Sequence, residues 1–594
     1  MPVTRSIIVS LCVMATLAVA VSTAAAQAIT EFNIPTANSK PGLIVTGSDG
    51  NLWFTETNTN KIGRITTGGQ ITEFSTGLTA NAGPAGIVAG PDGNLWFTEN
   101  TVGKIGVITT SGTITEYALP AGSNSQPLDI TLGHDGNLWF VEQNANNIGM
   151  ITTSGTVTEY TIPTSGSQPL SIRVGGNGVL WFAEAAGNKI GMITYAGAIT
   201  EYANPDSSAS LRFVAEGGDG NIYFTEANVD MVGSIIATNG GSNLLGTYNG
   251  EFSPPTNNGP GLGYIGQGPD GGVWFIENKA NNIGRISLAS TGSGTPIITE
   301  YPIPTANSTP TAVASGPDGN LWFTQQGSNQ IGKLVPPVTT SPMLGAVLPS
   351  SRSVQVGGNV ATAFATMINN GSTALTKCGI KSLTNFSSAF SFQTTDPTTN
   401  ALTGTVNTTV GLNAGQSQSF LVAFTPNGPN VPTNVVLSFV CKGVDPAQPY
   451  VGLNTFLVSN SATPVPDIVA LSATTMSDGI VHIPSISGSG AFAVATVNVG
   501  ASATSIVATA NTGVVTLPLN LSICQTNPST GQCLSGPGSS AVASINANAT
   551  QTFSIFATAT GAITFSPAIN RVFVQFADSN GVVRGSTSVA VRTP

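Results

Sequence analysis

One phrase recurs seven times between residues 29 and 337, and this repeat limits the possible folds more than any other feature of the sequence. The copies are variants of Gly-Pro-Asp-Gly-Asn-Leu-Trp-Phe-Thr-Glu at 90–99, centred on Trp53, Trp96, Trp139, Trp181, Tyr223, Trp274 and Trp322. Their centres lie 42 to 51 residues apart. A period of about 40–45 residues with strand-like content is typical of a β-propeller blade made of four short strands. The repeat therefore predicts seven blades within residues 27–337.

The outer-strand phrase Ile-Thr-Glu-Phe/Tyr predicts how the ring closes. Its first copy, at 29–34, precedes the first tryptophan of the repeat, and no copy follows the last one. We expect this N-terminal strand to complete the seventh blade, because closing the ring removes sheet edges that would pair with other chains. The apolar run in each Leu-Trp-Phe strand indicates a sheet buried between neighbouring blades, so the tryptophans are core residues.

The repeat disappears after a proline-rich linker at 336–342, and strands rich in Ser, Thr and Ala follow. Two similar stretches, 338–462 and 463–594, alternate apolar and polar residues with turn signals at short intervals. This pattern is typical of immunoglobulin-like β-sandwich domains. The predicted fold class is therefore all-β: a seven-bladed propeller followed by two β-sandwiches.

The N-terminus predicts export. Arg5 precedes the apolar run 6–21, and Ala24-Ala25-Ala26 supplies a cleavage site, so residues 1–26 form a predicted signal peptide. No second apolar span is present, which predicts a secreted or extracytoplasmic protein without a membrane span. Four cysteines remain after cleavage, and their positions predict the disulfides Cys378–Cys441 and Cys524–Cys533.

Charge and histidine content exclude several functions. Only 8% of residues are charged and the formal net charge is −10, which argues against binding to nucleic acid or anionic lipid. With two histidines and no Cys-x-x-Cys pair, the sequence predicts neither a zinc site nor any other metal site. The expected partner is a small molecule, a glycan or a protein at the mouth, the end of the central channel where strand A begins and strand B ends. The protein is expected to be a monomer.

The blades resemble the virginiamycin B lyase (streptogramin lyase) family through Asn-Lys-Ile-Gly-Arg-Ile-Thr-Thr at 60–67 and the phrase at 90–99. The resemblance covers the whole propeller. It implies opening of the ester-linked ring of a cyclic peptide antibiotic by elimination, with Mg²⁺, histidine and glutamate. The family carries Pro-His at the opening of blade six, Glu-Pro-His-Gly-Ile at the opening of blade seven, and a further Glu after the Trp-Phe of blade seven.

This sequence departs from the family at those positions. The histidine position of blade six is Gly263, and blade seven opens with Thr309-Pro310-Thr311-Ala312-Val313. Thr324-Gln325-Gln326 follows Trp322-Phe323. Each position that should ionise or hold the metal is neutral, so no catalytic residue is predicted. A general base alone contributes about 10²–10⁴-fold in rate. Neither His134, predicted in an A–B hairpin on the opposite face, nor His482, outside the propeller, can substitute.

Acidic residues at the end of strand B are the candidate binding groups. We expect Glu56, Glu99 and Glu184 to pair across the B–C loop with Lys61, Lys104 and Lys189, and the outer-strand glutamates to be solvated. Asn147, Met231 and Asn282 stand at the lysine positions of the other three blades. The ligand-binding candidates at the mouth are therefore the three unpaired glutamates and an arginine of strand A in blade five: Arg212, Glu226, Glu277 and Glu142.

Three functional hypotheses follow. The first is a secreted, non-catalytic protein that binds a ligand at the mouth without a cofactor, with the sandwiches presenting the propeller. The second is a Mg²⁺-dependent lyase acting by elimination on a streptogramin-like cyclic ester, or a relative that uses Glu226 and Glu277 with a metal. The third is a purely structural surface protein.

Overall fold

The computed structural model describes residues 29–175, 179–237, 245–256, 261–290, 296–337, 341–382, 384, 388–513 and 515–594. The predicted signal peptide lies outside these ranges. The described chain consists of strands β1 to β46 and one short 3₁₀ helix at Gly122–Asn124, which confirms the all-β prediction. Among the described residues, no helix is long and apolar enough to cross a membrane.

The first four blades each contain four consecutive strands, A to D. Blade one has β2 (Pro41–Thr46), β3 (Leu52–Glu56), β4 (Lys61–Ile65) and β5 (Ile71–Phe74). Blade two has β6 (Pro84–Ala89), β7 (Leu95–Glu99), β8 (Lys104–Ile108) and β9 (Ile114–Ala118). Blade three has β10 (Pro127–Leu132), β11 (Leu138–Glu142), β12 (Asn147–Ile151) and β13 (Val157–Thr161). Blade four has β14 (Pro169–Gly175), β15 (Val179–Glu184), β16 (Lys189–Ile193) and β17 (Ile199–Ala203).

The remaining blades include the one that closes the ring. Blade five has β18 (Leu211–Glu216), β19 (Ile222–Glu226), β20 (Met231–Ile235) and β21 (Tyr248–Phe252). Blade six has β22 (Leu262–Gln267), β23 (Val273–Glu277), β24 (Asn282–Ser290) and β25 (Pro296–Pro302). Blade seven has β26 (Pro310–Ser315), β27 (Leu321–Gln325), β28 (Gln330–Leu334) and the N-terminal β1 (Ile29–Asn33). β1 pairs antiparallel with β28, from Ile29 opposite Leu334 to Asn33 opposite Gln330, so the predicted closure is confirmed.

The repeated phrase folds as a unit because its residues bond to one another. The indole of Trp53 is fully buried and donates to the Asp49 carboxylate of the A–B turn at 3.1 Å, and Tyr223 bonds to its own turn aspartate. Thr55 donates to the carbonyl of Ala85 in the next blade at 2.8 Å, which ties neighbouring sheets together. Most repeated polar residues thus serve the scaffold.

The strands of the first sandwich lie in two sheets. The strands of this domain are β29 (Met343–Leu348), β30 (Ser351–Gln355), β31 (Ala361–Asn369), β32 (Leu375–Ser382), β33 (Ser388–Thr395), β34 (Val410–Leu412), β35 (Ser417–Pro426), β36 (Asn430–Val440) and β37 (Thr455–Ser461). One sheet has the order β29-β31-β35-β33, and the other has the order β30-β37-β36-β32-β34. A single apolar core lies between the two sheets.

The second sandwich repeats this strand order. Its strands are β38 (Ile468–Thr474), β39 (Ile480–His482), β40 (Ser489–Asn498), β41 (Ala503–Asn511), β42 (Leu519–Thr526), β43 (Ser540–Ile545), β44 (Thr550–Ala559), β45 (Arg571–Ala577) and β46 (Val583–Arg592). Its two sheets have the orders β38-β40-β44-β42 and β39-β46-β45-β41-β43. Both predicted disulfides, Cys378–Cys441 and Cys524–Cys533, are confirmed.

The first sandwich contacts the face of the propeller that carries the A–B hairpins. Asp445 accepts a hydrogen bond from Ser287 at 2.8 Å and lies 3.5 Å from the guanidinium of Arg285 in blade six. Asn427 donates to the carbonyl of His134 at 3.0 Å. The first sandwich is therefore bonded to the face of the propeller opposite the mouth.

Candidate functional site

The glutamates that end strand B are buried, whereas the sequence placed them at the rim of the mouth. Their exposed fraction is 0% in five blades and 3% for Glu277. The six are Glu56, Glu99, Glu142, Glu184, Glu226 and Glu277. A side chain that water does not reach cannot be a surface ligand group in this conformation, so this part of the interpretation is corrected.

The lysines of strand C bond to the outer strand and to a loop, which corrects the predicted pairing with strand B. Lys104 lies directly opposite Glu99 in the ladder, yet its ammonium bonds to Glu116 on strand D at 2.7 Å. The same ammonium donates to Thr79 in the preceding loop at 2.7 Å. Lys61 and Lys189 do the same in blades one and four. The outer-strand glutamates of these blades are thus ion-paired and hydrogen-bonded, not simply solvated.

Burial and the nearby outer-strand carboxylate raise the pKa of the strand-B glutamates. The pKa is about 7 for Glu56 and Glu142 and about 8 for Glu99, Glu184 and Glu277, with burial as the largest cause. Both carboxyl oxygens of Glu99 and of Glu184 lack a hydrogen-bond partner. An unpaired buried carboxyl favours its neutral form. Burial therefore favours the neutral form of these groups, and near neutral pH they carry only part of their full negative charge.

The four candidate residues do not form one patch. Glu226 accepts from Asn204, in the connection between blades four and five, at 2.9 Å and from the Tyr248 hydroxyl of blade five at 3.0 Å. Glu142 and Glu277 each accept from the asparagine that replaces the lysine, at 3.2 and 3.3 Å. Arg212 is exposed, and within the described ranges no ion pair joins it to Glu226 or Glu277. The arginine thus lies on the surface, whereas the three acids are buried within their blades.

A polar cluster in the central channel was missed by the sequence analysis. Arg173 in blade four forms an ion pair with Asp129 in blade three at 2.5 Å and donates to the Tyr264 hydroxyl in blade six at 2.5 Å. The Tyr264 ring lies 5.3 Å from the ring of Phe213. These residues belong to the strands A that line the channel, and their contacts connect blades three to six across it. Asp129 lies outside the acidic positions that the repeat shares, and this irregularity in the sequence pointed to a residue with a different role.

His134 lies in the A–B hairpin of blade three, as expected. Its backbone N–H donates to the Tyr195 hydroxyl at 2.9 Å, and burial lowers the pKa of its imidazole to about 4. The imidazole is therefore neutral, and its hairpin contacts the first sandwich. His482, in the second sandwich, bonds to Asp478 at 2.7 Å.

The family's reactive positions correspond here to residues at the start of strand A in blade six and within blade seven. Gly263 is the second residue of its strand A, and a Cβ added there would lie 3.0 Å from Nδ2 of Asn278. Gln325 is fully buried, donates to Glu31 at 3.0 Å and accepts from Ser328 at 2.7 Å. Both polar atoms of the Gln325 amide are thus hydrogen-bonded within the blade.

Comparison with known proteins agrees with this architecture. The virginiamycin B lyase family matches residues 14–244 and 241–360, more than half of the chain. The chain belongs to this family. A streptogramin B lyase structure is 36% identical, with 52% of this chain and 97% of that chain covered and a TM-score of 0.47. Virginiamycin B lyase from Staphylococcus aureus is 34% identical, with 52% and 99% covered and a TM-score of 0.47. No curated protein matches the chain.

The Mg²⁺ that the family resemblance implies was tested against the residues present. Mg²⁺ prefers oxygen ligands in near-octahedral geometry, usually including carboxylates. Gly263 offers no side chain, Thr311 offers only a neutral hydroxyl, and the Gln325 amide is already bonded. In the described part of the chain, no group of three or more His, Cys, Asp or Glu side chains is arranged to hold a metal ion. The donor set does not fit the ion.

Proposed function

We propose that this chain is an exported, non-catalytic member of the virginiamycin B lyase family whose propeller mouth binds a ligand. The observation that carries the proposal is the neutral set at the family's reactive positions, Gly263, Thr311 and Gln325. A positioned base and a metal supply most of the rate in such an elimination. Without ionisable groups there, these positions offer no side chain that can act as a general base.

The arrangement of the domains supports the mouth as the binding face. The first sandwich occupies the A–B hairpin face through Asp445 and Asn427. The Arg173–Asp129 pair joins blades three and four within the channel. Because the described contacts of the first sandwich lie on the opposite face, the mouth is the end of the channel that we propose admits a ligand. The proposed role of the sandwiches is to present this mouth.

Two features support export. Disulfides persist in oxidising compartments, and the chain has two of them. The sequence-predicted signal peptide at 1–26 agrees with that compartment. The ligand class at this level remains a small molecule, a glycan or a protein, bound by a monomeric chain.

The proposal is tested by incubating the mature chain with Mg²⁺ and a B-type streptogramin, with the Staphylococcus aureus virginiamycin B lyase as the positive control. Elimination leaves the mass unchanged, so the product is detected as a shifted chromatographic peak with linear-peptide fragmentation. We expect this peak from the control enzyme and none from this chain. A peak that depends on both Mg²⁺ and unboiled protein would contradict the proposal and favour the lyase alternative.

A further inference from the structure

The described residues supply the strand-D glutamate with a lysine, hydroxyl or amide donor in every blade except blade three. In blades one, two and four, the sister blades, a strand-C lysine and a threonine of the preceding loop both bond to this glutamate. These sets are Lys61 and Thr36 with Glu73, Lys104 and Thr79 with Glu116, and Lys189 and Thr164 with Glu201. Blades five, six and seven, which have no lysine there, use the pairs Tyr248 with Glu251, Thr256 with Glu300, and Gln325 with Glu31.

Blade three has neither donor of the sister blades. Asn147 stands at the lysine position, and its amide donates to Glu142 on strand B at 3.2 Å. Gly122 stands at the threonine position, five residues before the proline that begins strand A, and it has no hydroxyl. A Cβ added at Gly122 would meet no atom within 4 Å, so the space beside its Cα is open. Glu159, the strand-D glutamate of blade three, therefore lacks both the ammonium and the hydroxyl.

Both carboxyls of blade three are left with an unpartnered oxygen. Oε1 of Glu142 and Oε1 of Glu159 are buried without a hydrogen-bond partner, and no ion pair of the described chain includes either residue. Burial raises the pKa of Glu159, whereas in the sister blades the threonine and the lysine outweigh burial and lower the pKa of the equivalent carboxyl. Burial and then the charge of Glu159 raise the pKa of Glu142 to about 7, so the two carboxyls are close neighbours.

The lysine of a sister blade shows that solvent reaches this position. The side chain of Lys104 in blade two stays 28% exposed, although its ammonium bonds to Glu116 and Thr79 at 2.7 Å each. Glu159 is likewise half-buried, and Glu142 is fully buried. A cation from outside can therefore approach Glu159, the outer carboxyl, while Glu142 lies behind it inside the blade.

We propose that Glu159 and Glu142 bind the primary ammonium group of an external small-molecule amine, in the place that a lysine ammonium takes in the sister blades. The ammonium bonds to Glu159, and Glu142 supplies a second negative charge from inside the blade. Hydrogen bonds between an ammonium and a carboxylate are among the stronger ones in proteins. This site goes beyond the proposed function, because it lies between strands B and D of one blade and not among the strands A that line the channel.

The surroundings favour an ammonium over a metal ion. The sister blades hold this same group with one carboxylate and one hydroxyl oxygen. Ca²⁺ takes about six to eight oxygen ligands, and the described residues contain no group of three or more side chains that could hold a metal ion. A linear primary amine also presents its charge at the end of a slender chain, as lysine does.

The test is titration calorimetry of the mature full-length chain at pH 8 with three probes of one chain length: n-butylammonium, butyrate and 1-butanol. We expect n-butylammonium to bind with a dissociation constant of about 1–10 mM, which suits a ligand of so few atoms, and the other two not to bind. Asn147→Lys supplies the ammonium from within the chain and should weaken this binding at least about tenfold, as should Glu159→Gln. Asn370→Lys, which adds the same charge at an exposed position of the first sandwich, is the matched control and should change nothing.

Three outcomes would overturn the inference. If n-butylammonium does not bind the wild-type chain, the two carboxyls are satisfied by a shared proton and form no site. Unchanged binding in both Asn147→Lys and Glu159→Gln would place the amine elsewhere on the protein. Tighter binding of Ca²⁺ than of n-butylammonium, measured by competition at matched ionic strength, would make this a metal site. None of these outcomes bears on the loss of the lyase reaction, which the streptogramin assay measures separately.

Discussion

Replacing Glu56 by glutamine should stabilise the propeller at alkaline pH. Glu56 is fully buried, its Oε1 has no hydrogen-bond partner, and burial raises the pKa of its carboxyl from 4.5 to about 7. Blade seven already carries glutamine at this position. There Gln325 donates to the outer-strand Glu31 and accepts from Ser328, while in blade one Thr59 donates to Glu56 at 2.8 Å. Glu56→Gln would reproduce the arrangement of blade seven.

The sign and size follow from proton linkage. With a folded pKa above the unfolded value, the folded state binds more protons between pH 4.5 and about 7, so stability is greatest below that window and falls as pH rises through it. One pKa unit is worth about 1.4 kcal/mol, which sets an upper limit of about 3 kcal/mol at pH 8. Desolvating the amide offsets part of this, at about 1–2 kcal/mol. We expect a net gain of about 1–2 kcal/mol at pH 8 and almost none at pH 5.

Tryptophan fluorescence during urea unfolding is the assay, because all six tryptophans lie in the propeller and report on it alone. Glu73→Gln is the matched control in the same blade. Glu73 bonds to Lys61 at 3.1 Å and to Thr36, and these partners lower the pKa of its carboxyl, so its loss should destabilise the propeller most at neutral and alkaline pH. Equal destabilisation by Glu56→Gln at pH 5 and pH 8 would refute the reasoning.

Three further predictions concern the scaffold. Arg285→Met should lower the unfolding free energy of the propeller by about 3–5 kcal/mol, because the buried Asp270 carboxylate, 2.6 Å from the guanidinium, then has no cation beside it. The same fluorescence assay measures this, and a loss below about 1 kcal/mol would contradict it. Deleting residues 29–33 should cause aggregation, because β28 then becomes an exposed sheet edge. Size-exclusion chromatography measures this, and a single monomer peak would argue against ring closure through β1. Replacing both cysteines by serine should lower the unfolding free energy by about 4 kcal/mol in the first sandwich and by about 3 kcal/mol in the second, because the disulfides close loops of 63 and 9 residues. Circular dichroism melts that give the opposite order would contradict this loop-entropy argument.

The sequence predicts the repeated parts of this fold well, because each blade specifies itself. The tryptophan of each repeat, the turn aspartate and the inter-blade threonine act within or between adjacent repeats, so periodicity alone reveals them. The closing strand follows from the number of outer-strand phrases, and the disulfides follow from the positions of the four cysteines. These features depend on the order of residues along the chain, which the sequence gives directly.

The candidate site is less predictable because its contacts join distant blades. The strand register places Glu99 opposite Lys104, as expected, but the lysine reaches Thr79 in the preceding loop, a contact that the register within one blade does not contain. Arg173 meets Asp129 across 44 residues and Tyr264 across 91. Burial of the strand-B glutamates likewise results from packing between blades, and it removes these carboxyls from the surface of the mouth where the sequence placed them.

The central claim is that the propeller has lost the lyase reaction. The most direct test incubates a B-type streptogramin with Mg²⁺ and either the wild-type chain or Glu277→Gln and samples the mixture over time. Chromatography with fragmentation measures the ring-opened fraction. We predict an intact ring in both samples, because Gly263, Thr311 and Gln325 supply neither a base nor a metal ligand and Glu277 is a buried scaffold residue of blade six. A metal-dependent linear product from the wild type that disappears in Glu277→Gln would contradict the account and make a strand-B glutamate a catalytic residue.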